Sequence, residues 1–275
     1  MKWARMSTKR QLDEGIPGYR REAGSQSGHY TAHRHDRGVI TEVDIRQLVD
    51  FHFPLNGPEP DLQTRMHVTC ALLCWFAFLR FDDLARVLVH YDLLHITPGV
   101  GAEIILWKSK TDQRGEGQTA SVGFRGDHYC PMTRLEELLT KGQYVRLPKQ
   151  EAVEGRYVSV EDVGPLLRRV TTSQTGVPSL VQRTAPLSAP IPPLPYRTFL
   201  GHLRRLFVEA GLSPRFGTHS LRSGGVTAAV NNGADRSLVQ KLGRWKSADV
   251  FEQHYVKDSD AARGRVTALS INTAQ

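Results

Sequence analysis

The chain has 275 residues, 40% of them apolar and 23% charged, which is the balance of a folded globular chain and excludes a disordered or fibrous one. Thirty-six Lys and Arg against 28 Asp and Glu leave a formal charge of +8; such a surplus concentrates polyanions, nucleic acid first among them, although a solvated basic face with no partner fits charge alone equally well. The longest apolar run (Val68 to Leu79) is shorter than the ~20 residues of a membrane span, the amino terminus lacks the apolar block of a secretory signal, and three cysteines make no disulfide framework, so the expectation is an intracellular protein with no membrane partner.

Residues 1–40 carry little apolar periodicity and read as a flexible leader or the remnant of a missing domain. His29, His33 and His35 lie there without a Cys partner or a helical phase, and no metal site is expected from them. Thr41 with Asp44 forms a capping pair, opening a short helix with Val43, Ile45, Leu48 and Val49 on one face. A loop rich in Pro and Gly leads to an apolar helix over 61–80, in which Cys70 and Cys74 are core-filling thiols. A second short helix (DDLARVLVH) follows, then extended segments at Tyr91–Ile96, Ala102–Lys108 and Gln118–Phe124, the last two joined as a hairpin by a turn containing Gly.

Pro131 begins an amphipathic helix running to Lys141, and Val158–Val170 reads as another. Residues 171–195 hold too many prolines for packed structure and read as an exposed loop. Helices return at Tyr196–Ala210, Leu221–Asn231, Ser237–Leu242 and Ala248–Val256. The whole is a mixed α+β fold, mainly helical with one small antiparallel sheet.

The last third carries the chemistry. His219 and Arg222 stand three apart at a helix start, where they share a face beside backbone N–H donors that suit an anion. Gly224 and Gly225 follow, allowing a close approach of backbone or ligand. Downstream come Gly243-Arg244-Trp245-Lys246-Ser247 and Tyr255; upstream lie Arg80 and Asp83 at the end of the apolar helix, and Lys110 in the hairpin. Each piece is weak alone, but the order Arg, Lys, His-x-x-Arg, Trp, Tyr is specific. It resembles the catalytic domain of the tyrosine recombinases of the phage-integrase family, over roughly residues 41–258. The SKTDQ hairpin and the GRWKS segment look most like the Crypton-like recombinases of eukaryotic mobile elements. From His202 to Lys257, nine Lys and Arg stand against four Asp and Glu, so the basic surplus surrounds the same residues.

The resemblance implies a DNA breaking-and-rejoining fold and site-specific recombination or integration through a covalent 3′-phosphotyrosine, with no cofactor and no metal. Tyr255 is then the nucleophile, and Arg80 and Arg222 grip the scissile phosphate. Lys110 protonates the departing 5′ oxygen, His219 accepts or relays a proton, Trp245 donates one indole N–H, and Asp83 orients Arg80. These residue types suit the task. Guanidiniums offer paired N–H donors to oxygens on which charge develops, and a phenol with an ordinary pKa of about 10 needs such neighbours to ionise. Of eight tyrosines, only Tyr255 follows Arg222.

Three departures from the family stand out. The interval from Trp245 to Tyr255 is one residue longer than is common, so Arg244 competes with Trp245 for the polar position, and Trp245 is preferred. Lys108 competes with Lys110. Forty unpatterned residues do not supply the helical core-binding domain that usually closes round DNA, so the chain is a fragment, a truncated product or a member that borrows another subunit. The expected partner is double-stranded DNA, bound as a homotetramer, in the nucleus of a eukaryotic host or the nucleoid of a bacterial one. The alternatives are a catalytically idle DNA-binding descendant and a relaxing activity of topoisomerase IB type. Residues 259–275 read as a C-terminal tail.

Overall fold

The computed structural model describes residues 39–106, 118–144, 146, 152–153, 156–157, 164–174, 176–181 and 191–256. Helix α1 spans Glu42–His52, and Thr41 begins it as a capping box. The Thr41 hydroxyl accepts from the Asp44 N–H, and the Asp44 carboxylate accepts from the Thr41 N–H at 2.7 Å. Ile45, Leu48 and Val49 turn inward as expected, whereas Val43 is 70% exposed. It lies off the stripe set by the other three, so the four do not share one face.

Helix α2 (Leu62–Phe76) is capped by the Asp61 carboxylate, which accepts from the Thr64 N–H at 2.7 Å. It is apolar nearly all round because it is buried nearly all round, against α1, α4 (Pro131–Lys141), α5 (Tyr196–Glu209) and α6 (Thr218–Asn231). Met66, Val68, Leu72 and Leu73 are wholly buried on it, each worth about 1.5–3 kcal/mol of apolar transfer. The helix stops short of the predicted residue 80. Ala77 closes it, and Phe78 adopts φ +51°, a left-handed backbone that no α-helix can continue.

The next helix, α3 (Phe81–Leu84), is one turn long rather than running to His90. Val87, Leu88 and Val89 are extended, with Leu88 bridging Pro165 and the Leu166 N–H donating to Val87 O at 2.7 Å. Their β-branched neighbours suit this better than a helix. The sheet is antiparallel in the order β1 (Leu94–Thr97), β2 (Gly101–Leu106), β3 (Gln118–Gly123). Its registers place Leu94 opposite Ile104 and Ile104 opposite Ala120, all three buried. The first strand begins at Leu94 because residues 91–93 form a turn.

Two further expectations need revision where the described residues reach them. The described part of Val158–Val170, residues 164–170, is not helical. Two short hairpins occur in this region, β4 (Ala152–Val153) with β5 (Arg156–Tyr157) and β6 (Val170–Thr172) with β7 (Pro178–Leu180). The second falls inside the stretch read as an exposed loop. Val170, Thr171 and Thr172 favour the extended state, Pro178 sits at a strand start where its missing N–H costs nothing, and Leu180, Ile191 and Leu194 are buried. The described residues close with α7 (Arg236–Leu242), capped by Asp235, and α8 (Ala248–Tyr255), capped by Ser247.

Most buried residues form one core around α2. A second, smaller one joins Phe78, Val226, Val230, Val239, Trp245 and Phe251, with Tyr255 packed on it. Among the described residues no helix is long and apolar enough to cross a membrane.

Candidate active site

The small second core is the floor of the site. Helix α6 supplies His219 and Arg222 from its first turns. Its N-terminal N–H at Gly217 is already capped by the Ser220 hydroxyl at 3.3 Å. The two glycines serve helix packing: a Cβ on Gly225 would lie 2.2 Å from Trp75 O, and one on Gly224 would lie 2.4 Å from Ile40 O. Backbone rather than ligand occupies the space they leave, and α6 is thereby pressed onto the end of α2.

Tyr255, the last residue of α8, lies within this grouping. Its ring centroid is 4.6 Å from that of Trp245 and 5.2 Å from that of His219, and the Arg222 guanidinium carbon is 5.6 Å from it. The Thr227 hydroxyl donates to Tyr255 O at 2.8 Å, tying the end of α8 to α6. Trp245 folds back beneath Gly243, where a Cβ would strike the indole, and is 7% exposed.

Arg222 is 1% exposed. Its Nη1 donates to Phe78 O and its Nη2 to Gly243 O at 2.6 Å. The left-handed turn at Phe78 aims that carbonyl at the site, and Arg244 Nη2 donates to it too, at 3.3 Å. Arg244, itself at φ +62°, donates from the same nitrogen to Asp83 Oδ2 at 3.1 Å. Arg222 Nη1 stands 3.9 Å from that oxygen.

Asp83 also accepts from the Arg80 backbone N–H at 3.0 Å. The expectation that Asp83 orients the Arg80 guanidinium is therefore corrected: its ion pairs are with Arg244 and, more loosely, Arg222. The reason is geometric, since Arg80 precedes the single turn of α3 and Asp83 is spent on capping it. Arg80 is close enough for its charge to lower the pKa of both Arg222 and Arg244.

The electrostatics are lopsided. The side chains of Arg222, Arg244 and Asp83 are 1%, 7% and 5% exposed, so one buried carboxylate serves two buried guanidiniums. Burial first, then the charges of Arg80 and Arg244, pull the Arg222 guanidinium below its usual value, and Tyr255 and Asp83 oppose this. Arg222 Nε, Arg244 Nε and Trp245 Nε1 are buried donors with no acceptor among the described residues, a costly state. Cys74 lies behind them, its thiol pushed up to about 12 by burial and the Asp83 charge, and is inert as a nucleophile.

Of the sequence candidates, Arg222, His219, Trp245, Tyr255 and Asp83 are thus brought together, with Arg80 adjoining. Lys110 and its competitor Lys108 lie outside the described residues, as do His29, His33 and His35. Among the described residues no grouping of three His, Cys, Asp or Glu could hold a metal ion. Sequence reasoning did not foresee the Phe78 turn or the Arg244–Asp83 pair. Nothing in a Phe announces a positive φ, while Leu242-Gly243-Arg244 carried the signal for the second.

The helical domain with its small three-stranded antiparallel sheet has the catalytic-domain fold of the tyrosine recombinases, as its likeness to solved structures shows. Residues 149–262 match the model of the phage integrase family. Among solved structures it is similar to XerA recombinase, with a TM-score of 0.51 and 14% identity, covering 85% of this chain and 66% of that one. It is similar to XerH site-specific recombinase bound to its difH substrate in a pre-cleavage complex (TM-score 0.51, 12% identity, 85% of this chain and 54% of that one). The Tn1549 transposon integrase in complex with transposon right end DNA matches as well (TM-score 0.50, 14% identity, 86% and 67%). The chain thus spans about half to two thirds of the length of these structures. No curated protein matches the sequence.

Proposed function

We propose that the protein cleaves and rejoins DNA strands in site-specific recombination or integration, through a 3′-phosphotyrosine formed on Tyr255. The observation that carries this reading is the packing of the Tyr255 ring against Arg222, Trp245 and His219, beside an arginine cluster with too little carboxylate to neutralise it. In the step, Tyr255 Oη attacks phosphorus and the bond to the 5′ oxygen breaks. The phenolic proton passes to His219 and a proton from Lys110 reaches the leaving oxygen. Arg80, Arg222 and the Trp245 N–H take the charge on the non-bridging oxygens. Because Trp245 Nε1 and Arg222 Nε are buried, the 243–247 turn must shift as DNA binds.

The partner in this reading is double-stranded DNA; the similar XerH recombinase is bound to its difH substrate and the Tn1549 integrase to transposon right end DNA. The proposal extends to a tetramer assembled on DNA, a Crypton-like mobile-element origin, and a nuclear site of action in a eukaryotic host or the nucleoid in a bacterial one. It also takes residues 41–258 as the catalytic domain. The test is incubation with a pool of nicked suicide duplexes of randomised sequence, followed by denaturing electrophoresis for a covalent protein–DNA adduct. Wild type forms the adduct and Tyr255→Phe does not; an adduct in the variant removes Tyr255 from the role.

One observation favours a second reading. Both terminal nitrogens of Arg222 are engaged by backbone carbonyls, as suits a residue kept for structure in an idle DNA-binding descendant. Such a protein binds duplexes in a salt-sensitive manner and yields no adduct even with a core-binding domain supplied in trans.

A further inference from the structure

We propose that Arg244 is a positioning residue whose task is to occupy Asp83 and so leave the charge of Arg222 available to a phosphate; the proposal rests on the strand-exchange reading. The site holds one carboxylate oxygen with two buried guanidiniums competing for it. Arg244 Nη2 has it at 3.1 Å and Arg222 Nη1 stands off at 3.9 Å. Both guanidiniums also donate to the same Phe78 carbonyl, so they are held side by side, and only about an ångström separates a hydrogen-bonded pair from a looser one.

The left-handed backbone of Arg244 directs its side chain inward, away from the course a continuing helix would take. The buried fraction is as telling. Arg244 keeps 7% of its side chain exposed yet has no role for Nε among the described residues, the same state as Arg222 Nε and Trp245 Nε1.

The consequence of removing Arg244 follows from charge counting. A buried carboxylate that loses its partner is strongly driven to find another, and Arg222 is the nearest candidate. Closing that gap neutralises the guanidinium that packs on Tyr255 and Trp245, and the anion loses its strongest attraction. Arg244 therefore acts through Asp83, without touching the phosphate.

The test uses the full chain and inorganic phosphate, followed by the Trp245 indole N–H resonance, together with the adduct assay on randomised suicide duplexes. Arg244→Gln should weaken phosphate binding at least about tenfold, the scale of losing one charge-assisted interaction. Adding Asp83→Asn in that background should restore affinity to within a few-fold of wild type, since the rival carboxylate is gone. Arg244→Lys should keep most of it.

A double variant no better than Arg244→Gln overturns the proposal, as does a wild-type protein whose Trp245 resonance ignores phosphate. Should Arg244→Gln fail to fold, Asp83→Asn alone decides. It should bind phosphate at least as tightly as wild type despite lower thermal stability, and weaker binding rejects the idea. Rescue of phosphate binding with no adduct in wild type would leave this assignment standing and remove the strand-exchange reading instead.

Discussion

The guanidinium carbon of Arg222 lies 4.0 Å from the centre of the Trp245 indole. This contact lets a nearly sealed cation survive with one shared carboxylate. A desolvated guanidinium over an indole face is worth about 2 kcal/mol, and the Tyr255 ring packs against the same indole at 4.6 Å. The stacking and the orphaned Nε1 are separable, because a phenyl ring supplies a face but no donor.

Trp245→Phe should therefore raise or preserve stability while slowing DNA adduct formation. It removes a buried donor that costs about 1–3 kcal/mol when unpaired, against some lost contact area. Urea denaturation should show an unchanged or higher midpoint, with the single-turnover adduct rate lowered at least about tenfold. A wild-type rate would mean that the indole N–H serves no purpose in the chemistry.

Asp83→Ala leaves Arg222 and Arg244 without a counter-ion and uncaps the Arg80 turn. Breaking a buried pair on one side costs about 3–5 kcal/mol. That loss should appear in chemical denaturation. A cost below about 1 kcal/mol would show that the carboxylate is solvated in solution.

Gly225→Ala introduces a methyl group where Trp75 O stands 2.2 Å away. Backbone cannot yield as a flexible side chain does, so α6 must shift bodily, at about 1–3 kcal/mol or more. Because α6 carries His219 and Arg222, adduct formation should fall beyond what the remaining folded fraction explains. Full activity per folded molecule would contradict the tight coupling of α6 to α2.

His67 gives a pH dependence whose sign follows from its burial. It is buried on α2, stacked on Phe199, and burial pushes its pKa down from 6.5 to about 4. The unfolded chain therefore binds an extra proton between about pH 6.5 and 4. Stability from this group is full above 6.5 and is lost as pH falls toward 4, to a total of roughly 3 kcal/mol. His202, Arg205 and Asp61 are the charged groups near it. His67→Phe should flatten the stability curve across that window; an unaltered slope would place the titration elsewhere.

How much of this was legible beforehand follows from what each feature depends on. The capping box at Thr41, the largely apolar α2 and the Pro131 helix start are local and were readable from spacing alone. Of the six-residue order in the sequence, Tyr255, Trp245, His219 and Arg222 come together because they lie on elements adjacent in the chain. What escaped was non-local. The strand at Val170–Thr172 exists because Pro178–Leu180 pairs with it, and α2 ends at Phe76 because a phenylalanine two residues on accepts a left-handed backbone to reach two arginines far ahead in sequence. The partner of Asp83 was misjudged for the same reason: Arg80 is near in sequence, Arg244 only in space.

The Phe78 carbonyl, clasped by Arg222 and Arg244, has a bearing on biosynthesis. A growing chain that has emerged only as far as α6 has the first half of the latch but no Arg244 to complete it. Such a long-range closure comes late in folding. A polypeptide interrupted before residue 244 therefore lacks both the second donor to that carbonyl and the closer partner of Asp83.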